Sequence, residues 1–247
     1  MLNPPKLIGH RGVKDLSPEN TLHSISLAKK LGLNWVEIDV KITKDLVPIL
    51  LHDDELSRTT NGNGLVINKN YNYIITLDAG MYFYEYPTKI HIPSLSDVLI
   101  FSNKNNICLN IELKPNLGFE LENVKAVAKI ILNSSFSNQY YFSSFDLKSL
   151  ISMKKIIPNA YYGILVDKFN KNFNLKDILD ICNKYNITCC GLNKKIDNNE
   201  IINQFNLKGI ITSVYSDENL NKNEVLNLWS MGVSSVFIDD PSEFKIF

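Results

Sequence analysis

Residues Trp35–Asp53 read W-V-E-I-D-V-K-I-T-K-D-L-V-P-I-L-L-H-D, and this stretch decides how the rest of the chain is interpreted. Its first half alternates, so β-branched residues lie on one face of a predicted strand while Glu37 and Asp39 share the other. Two carboxylates on a buried face repel each other and lose hydration, so they need a nearby cation or a wet functional cavity. The same alternation is also typical of a half-buried strand whose acidic face is simply solvated.

The second half of this stretch is another apolar run, Val47–Leu51, which ends at His52 and Asp53. A turn that carries Lys44 and Asp45 separates the two runs. A hairpin-like return at this turn would place His52 near the two carboxylates. We therefore expect Val47–Leu51 to form a short extra strand.

The overall composition is that of an ordinary globular protein. The chain has 247 residues, of which 45% are hydrophobic and 21% charged, and α/β barrels of this length routinely form one domain. Its net charge is zero, with a pI near 6.9. This balance gives no electrostatic reason to expect nucleic acid or an anionic membrane as a partner, and we expect neither nucleic-acid binding nor stable membrane association.

The cysteines and the hydropathy pattern indicate a cytoplasmic protein. The four cysteines show no C-x-x-C spacing, and a chain of this length needs no disulfide, so we expect free thiols in a reducing compartment. No secretory signal is visible at the start of the sequence, and no apolar run approaches the roughly 20 residues of a membrane span.

Short apolar runs alternate with helical patterns over most of the chain. Lys6–Gly9 predicts the first strand, and Ser17 with Pro18 predicts the start of the first helix, with Ser17 as its N-cap. Ser94 is the predicted N-cap of a later helix. With the Trp35 strand there are about eight strand-then-helix units, so we predict a single TIM (β/α)8 barrel domain over residues 1–247. The later strands are predicted at Ile107–Leu113, Tyr140–Ser143, Ala160–Val166, Thr188–Leu192, Gly209–Val214 and Ser235–Ile238.

A region rich in aromatic residues interrupts this rhythm after the second strand. Neither a helical nor a strand period persists through Leu56–Tyr86, and linkers are poor in aromatic residues. We predict a small inserted subdomain over residues 53–92. The tyrosines around Tyr82 are interpreted either as the core of this insertion or as a lid over a substrate.

In such a barrel the functional groups lie at the carboxyl ends of the strands, on one face. Polar residues follow or end the first three predicted barrel strands, and the extra strand adds one more. Three carboxylates, two histidines, an arginine and a lysine are thus expected at one mouth: Glu37, Asp39, Glu112, His10, His52, Arg11 and Lys114.

These residue types point to the cleavage of a phosphate ester. Carboxylate oxygens without Cys or His at metal-ligand spacing favour Mg²⁺ or Ca²⁺ over zinc. Arg11 and Lys114 suit an anionic oxygen, and His10 and His52 can exchange protons near neutral pH. One histidine would give a proton to the leaving alkoxide while the other accepts one from the attacking hydroxyl.

Motifs along nearly the whole chain, in the same order, resemble the glycerophosphodiester phosphodiesterase family. Among them are His10-Arg11-Gly12, Pro18-Glu19-Asn20-Thr21, Glu37-Ile38-Asp39-Val40, His52-Asp53, Ile111-Glu112-Leu113-Lys114 and Ile238-Asp239-Asp240-Pro241. The resemblance implies a TIM barrel with a small insertion after the second barrel strand. It also implies a divalent cation, Mg²⁺ or Ca²⁺, and hydrolysis of small glycerophosphodiesters to glycerol 3-phosphate and an alcohol such as choline or ethanolamine.

The resemblance also assigns roles to the residues at the mouth. It implies metal ligands at Glu37, Asp39 and Glu112, an acid/base pair at His10 and His52, and phosphate contacts from Arg11 and Lys114. Direct attack by water and initial attack by the glycerol 2-hydroxyl, which gives a cyclic phosphate, both remain open.

One motif departs from the family pattern. Many relatives have Trp-Thr-Val-Asn at the end of the seventh barrel strand, where this chain has Thr212-Ser213-Val214-Tyr215. An aromatic wall over the glycerol is therefore either missing or rebuilt from elsewhere. Asp239 and Asp240 end the last strand at the same mouth, and we place them outside the catalytic set.

Two alternative functions are weighed against this one. A phospholipase D-like or phosphoinositide-cleaving barrel is disfavoured because the chain is neutral and lacks a basic or amphipathic membrane-facing stretch. A barrel that only binds a phosphorylated ligand would need the cations but not both histidines and all three acids.

Overall fold

The chain folds around a closed barrel of eight parallel strands, seen in a computed structural model that describes residues 2–170 and 174–244. The strands are β1 (Leu7–Gly9), β2 (Trp35–Ile42), β3 (Pro48–Leu50), β4 (Cys108–Leu113), β5 (Tyr140–Ser144), β6 (Tyr161–Val166), β7 (Cys189–Asn193), β8 (Ile211–Tyr215) and β9 (Ser235–Ile238). The barrel order is β1-β9-β8-β7-β6-β5-β4-β2, and pairing of β1 with β2 closes it. The TIM-barrel prediction is confirmed, and the predicted later strands agree with the observed ones to within two residues.

Helices connect the successive barrel strands. They are α1 (Leu22–Lys30), α2 (Tyr71–Ile74), α3 (Met81–Tyr84), α4 (Leu95–Lys104), α5 (Glu120–Asn133), α6 (Leu147–Ile156), α7 (Leu175–Tyr185), α8 (Asn199–Leu207) and α9 (Lys222–Ser230). Ser94 caps α4 and forms a capping box with Asp97, as its position in the sequence predicts. In the described part of the chain, no helix is both long enough and apolar enough to cross a membrane.

The predicted start of α1 is wrong. Thr21, not Ser17, is the N-cap, and its side chain accepts a hydrogen bond from the Ser24 amide. Asn20 has a φ of +56°, which is outside the right-handed helical region, so no helix can run from Pro18 through this position. The residues before Thr21 instead form a loop that returns to the barrel mouth.

Both faces of β2 are buried, which excludes the half-buried strand with a solvated face. Its outward residues, such as Val36 and Ile38, belong to the main core between the barrel and the helices. Its inward residues begin with Trp35, which packs near Tyr141 in a small apolar cluster inside the barrel. Two positions further on, the inward residue is Glu37, so the barrel interior changes from apolar to acidic towards the carboxyl ends of the strands.

The extra strand and the insertion follow β2. β3 pairs antiparallel with β2, which confirms the predicted hairpin-like return. Residues 53–92 contribute most of a second hydrophobic cluster, which includes Leu56, Val66 and Leu77. Lys41, on the inward face of β2, forms an ion pair with Asp54 at the start of this region. The description of residues 53–92 as a separate subdomain stays a prediction.

Candidate active site

A cavity of about 500 Å³ opens at the carboxyl ends of the barrel strands. Asp39 lies beside the cavity among its acidic lining and is 1% exposed. The other six residues selected from the sequence all line the cavity: His10, Arg11, Glu37, His52, Glu112 and Lys114. The structure therefore brings all seven residues to one place, although they come from four separate segments of the chain.

The three carboxylates form one compact cluster. Strands β2 and β4 are paired so that Asp39 lies opposite Glu112, and Glu37 is two positions earlier on the same face. One carboxylate oxygen from each residue lies within 4.8 Å of the others. Glu37 Oε1 is buried and has no hydrogen-bond partner among the described residues. A buried acceptor in an all-oxygen cluster fits a hard divalent cation.

Burial and mutual repulsion perturb the protonation of this cluster. Burial, with the charges of Asp39 and Glu112, raises the pKa of Glu37 well above its usual range. Burial is also the main reason that the pKa of Glu112 rises to about 7. Burial opposes ionisation of Asp39 as well, but the positive charges of Lys114 and Arg11 outweigh it and hold its pKa low. The cluster without a cation thus retains protons that a bound cation would displace.

Arg11 and Lys114 line the cavity beside the acids. The Arg11 amide donates a hydrogen bond to Glu37 Oε2 at 3.0 Å, and its Nε lies 3.2 Å from Asp39 Oδ2. Lys114 Nζ lies 3.2 Å from Glu112 Oε1 and 3.5 Å from Asp39 Oδ1. Burial opposes the charge on both cations, but these carboxylates outweigh it and raise both pKa values. Both side chains therefore stay cationic at the cavity wall.

The loop before α1 fixes Asp39 through a side chain that the sequence analysis did not select. Asn20 Nδ2 donates to Asp39 Oδ2 at 2.8 Å, and the Asp39 amide donates to Asn20 Oδ1 at 3.0 Å. Asn is one of the few residues that adopts a positive φ readily, so it can both turn the loop and clamp the carboxylate. Its place in the Pro18-Glu19-Asn20-Thr21 motif was the only sequence signal for this role.

His10 is held by the carboxylate of Asp239, the residue that follows the last barrel strand. Its Nδ1 lies 2.7 Å from Asp239 Oδ1, and Lys14 Nζ lies 2.8 Å from Asp239 Oδ2. Asp239 is 2% exposed. The sequence analysis placed Asp239 at this mouth but left it outside the catalytic set, because nothing in the sequence paired it with His10.

His52 is held by a second network of charged side chains. Its Nδ1 lies 2.7 Å from Asp53 Oδ1, and Arg58 forms ion pairs with both Asp53 and Glu19. Burial lowers the pKa of His52, while Asp39 opposes this shift. Burial also opposes the charge on Asp53, but hydrogen bonds from Arg58 and His52 bring its pKa down to about 2. The Nδ1 atom of His52 is thereby held by an anionic partner, Asp53.

Comparison with known proteins identifies the family. Residues 10–243 match the sequence model of the glycerophosphoryl diester phosphodiesterase family. The chain belongs to this family. It is therefore a phosphoric diester hydrolase, and the predicted family and enzyme class are both confirmed.

The names of individual relatives are consistent with this family assignment. The chain is 34% identical to a glycerophosphodiester phosphodiesterase of Caldanaerobacter subterraneus over 163 residues, which cover 64% of this chain and 65% of the relative. It is 28% identical to a glycerophosphodiester phosphodiesterase of Bacillus altitudinis over 250 residues, which cover 96% and 95%. A solved structure of an Oleispira antarctica phosphodiesterase in complex with the product sn-glycerol-3-phosphate superposes with a TM-score of 0.88 at 30% identity, covering 98% of this chain and 95% of that one.

Two aromatic side chains contact each other at the cavity. Phe145 and Tyr215 both line the cavity, and their rings meet edge to face with centroids 5.7 Å apart. Lys114 Nζ lies 5.8 Å from the centre of the Phe145 ring. Tyr215 belongs to the motif that departs from the family pattern, so the cavity has an aromatic ring at that position.

The tyrosines around Tyr82 lie neither in the core of the insertion nor over the cavity. Tyr82 and Tyr86 are exposed, and neither lines the cavity nor belongs to the insertion's hydrophobic cluster. Tyr84 packs edge to face against Phe83 and against His23 of α1. These aromatic side chains therefore lie against the outside of the barrel, away from the cavity, in the described structure.

Proposed function

We propose that this protein hydrolyses small glycerophosphodiesters to glycerol 3-phosphate and an alcohol, in a divalent-cation-dependent reaction with two histidines as proton carriers. The observation that carries the proposal is the single cavity of about 500 Å³, into which the acid cluster, two cations and two carboxylate-bound histidines converge. The product bound to the Oleispira phosphodiesterase, glycerol 3-phosphate, is the one this reaction would release.

Glu37, Asp39 and Glu112 are the residues that would hold the cation, because they are the buried oxygen cluster described above. When bound, Mg²⁺ or Ca²⁺ would polarise a phosphoryl oxygen and offset the negative charge of the cluster. Glu37 offers a buried oxygen without a protein partner among the described residues, which is the property expected of a ligand atom.

Arg11 and Lys114 orient the phosphodiester. Each already contacts the acid cluster, so each is fixed in position before a substrate arrives. Their charges face the side of the cavity where the phosphodiester would carry its own negative charge. Negative charge that develops on the phosphoryl oxygens during displacement is stabilised by these two cations.

His10 and His52 carry the protons. Because Nδ1 of each ring is engaged by a carboxylate, Nε2 is the nitrogen that can exchange a proton with the substrate. One histidine donates its Nε2 proton to the leaving alcohol oxygen as the bond from phosphorus to that oxygen breaks. The other accepts the proton of the attacking hydroxyl, from water or the glycerol 2-hydroxyl, as the new phosphorus–oxygen bond forms.

Enzymatic release of glycerol 3-phosphate tests this function. Purified protein is incubated with glycerophosphocholine, glycerophosphoethanolamine, glycerophosphoglycerol or glycerophosphoinositol, with Mg²⁺ or Ca²⁺ and with or without chelator. We expect release of glycerol 3-phosphate that the chelator abolishes. Turnover that survives the chelator would remove the cation from the proposal, and no turnover on any of the four would refute the activity.

Two variants complete this test. Glu112→Gln should lose nearly all activity, because an amide is a weaker and neutral ligand. His23→Gln is the matched control, because His23 lies in α1 against Tyr84 and outside the cavity. It should keep the wild-type rate.

A further inference from the structure

Asp239 is fixed in place more tightly than a surface carboxylate. Its backbone amide donates to Asn219 Oδ1 at 3.0 Å, and its carbonyl accepts a hydrogen bond from the Asp15 amide. Its side chain is 3% exposed, and both of its oxygens face a partner: His10 on Oδ1 and Lys14 on Oδ2. The carboxylate therefore has a defined position and a defined orientation.

The imidazole of His10 is restrained from three directions. Its backbone amide donates to the Ile238 carbonyl at 3.0 Å, where β1 pairs with β9. Its ring meets Phe237 edge to face at 6.3 Å. Its Nδ1 meets Asp239 at 2.7 Å. An ionised carboxylate can only accept a hydrogen bond, so Nδ1 carries the hydrogen and Nε2 of the neutral ring is left as the acceptor.

Lys14 fixes the orientation of this carboxylate. An ammonium group can only donate, and it occupies the second oxygen of Asp239 at 2.8 Å. With Oδ2 engaged by Lys14, Oδ1 is the oxygen that Asp239 presents to His10. The ring tautomer of His10 thus depends on a residue that does not touch the ring.

We propose that Asp239 and Lys14 are a positioning pair for His10, which holds the Nδ1–H tautomer and directs Nε2 to the reacting oxygen. The contribution to catalysis rests on the proposed function, but the tautomer does not. When His10 is protonated during the reaction, the buried Asp239 carboxylate also stabilises the imidazolium.

Replacing Asp239 by Asn gives a sharp test of this arrangement. Because Lys14 can only donate, the amide of Asp239→Asn should turn its oxygen to Lys14 and its NH₂ group to His10. Nδ1 of His10 must then accept, which moves the hydrogen to Nε2. Adding Lys14→Met removes this constraint, so the amide can turn back and restore the Nδ1–H tautomer without restoring the charge.

Nuclear magnetic resonance can detect the tautomer directly. The protein has four histidines, so a long-range ¹H–¹⁵N imidazole spectrum at alkaline pH resolves each ring, and His10→Asn assigns the signal of interest. We expect Nδ1–H in the wild type, Nε2–H in Asp239→Asn and a return towards Nδ1–H in the Lys14→Met/Asp239→Asn double variant. A wild-type Nε2–H tautomer, or one unmoved by Asp239→Asn, would overturn the proposal.

Kinetics on glycerophosphocholine supply the second readout. Asp239→Asn should lower kcat about 100-fold with KM changed by less than about 3-fold, since the loss concerns proton transfer. In the Lys14→Met/Asp239→Asn double variant, kcat should be about 10-fold higher than in Asp239→Asn alone. In a His10→Asn background Asp239→Asn should have no further effect, because the two act as one unit. Full activity of Asp239→Asn, or multiplied losses in the His10→Asn/Asp239→Asn double variant, would contradict the proposal.

The two readouts separate this inference from the activity itself. If the wild type hydrolyses no glycerophosphodiester but the tautomer moves as expected, the positioning pair stands and the proposed function fails. If turnover is normal but the tautomer does not move, the function stands and the positioning pair fails. Thermal unfolding of each variant confirms that the measured protein is folded.

Discussion

The two histidines at the barrel mouth have similar partners but very different surroundings. His10 is held by Asp239, whose side chain is 3% exposed and which follows a barrel strand. His52 is held by Asp53, whose side chain is 31% exposed, and by Arg58 beyond it, which is 46% exposed. The barrel closure fixes one of the two proposed proton carriers, while an ion network at the edge of the insertion fixes the other.

This difference has an energetic consequence. Ion pairs in contact with water are weak individually and are screened by salt, whereas a buried pair is hardly screened and is costly to break. We therefore expect the His10 side to be rigid and intolerant of change. The His52 side should be adjustable, because water can replace a lost partner there.

Removal of either ring should have the largest effect on catalysis. His10→Asn and His52→Asn should each lower kcat about 100-fold or more, because each removes one proton carrier. Steady-state kinetics on glycerophosphocholine measure this, with His23→Gln as the control. If one variant keeps the wild-type kcat, the two histidines are not an acid/base pair, and the comparison between them loses its basis.

The acid cluster should dominate the pH dependence of stability without a cation. Burial raises the pKa of Glu112 to about 7, so the folded state holds a proton that the unfolded state releases near 4.5. Its contribution to stability is fully present below pH 4.5 and is lost as pH rises through 7. Between these limits the loss amounts to about 3 kcal/mol.

Glu112→Gln isolates this contribution. Chelated wild type and variant are unfolded in urea from pH 4.5 to 8, and the variant should gain stability relative to wild type by about 3 kcal/mol. Mg²⁺ at pH 8 should then stabilise the wild type more than the variant. An unchanged difference between the two proteins across this range would show that Glu112 does not retain its proton.

A smaller effect on kcat is expected when Asp53, the partly exposed carboxylate that holds His52, is replaced. Asp53→Asn should lower kcat only about 10-fold, because Asp53 is partly exposed and its amide oxygen can still accept hydrogen bonds from His52 and Arg58. The buried Asp239→Asn should cost more. Kinetics of the two variants side by side measure the ratio, and equal losses would show that burial of the partner is unimportant.

The smallest expected effect is a shift of the His52 imidazole signals with salt concentration, without a shift of those of His10. Raising NaCl from about 0.05 M to about 0.5 M shortens the screening length to a few ångströms and weakens exposed ion pairs. The imidazole signals of His52 should shift, while those of His10 should not. Arg58→Gln should remove the response. Equal shifts of both rings would indicate that their surroundings are equally open to solvent.

Much of this site could be predicted because strand geometry is a local property. A period of two puts Glu37 and Asp39 on one face, and the barrel rule puts strand ends at one mouth. The roles of single residues that depend on loop geometry could not be predicted from the sequence. Ser17 has the chemistry of an N-cap, but the positive φ of Asn20 delays the helix to Thr21.

The contact between His10 and Asp239 could not be predicted from the sequence, for a different reason. The two residues are 229 positions apart, and their contact depends on how β1 and β9 align when the barrel closes. The contact between Phe145 and Tyr215 could not be predicted for the same reason, because Phe145 follows β5 and Tyr215 ends β8. Contacts between distant segments are set by the packing of the whole barrel, which no local pattern of residues contains.

The joining of the first and last barrel strands also bears on how the enzyme is made. Among the barrel strands, β1 leaves the ribosome first and β9 last. The contact between His10 and Asp239 therefore cannot form until nearly the whole barrel has been synthesised. We expect a nascent chain released before β9 to lack a positioned proton carrier. Completion of the last strand would then switch on hydrolysis in the same step that seals the barrel.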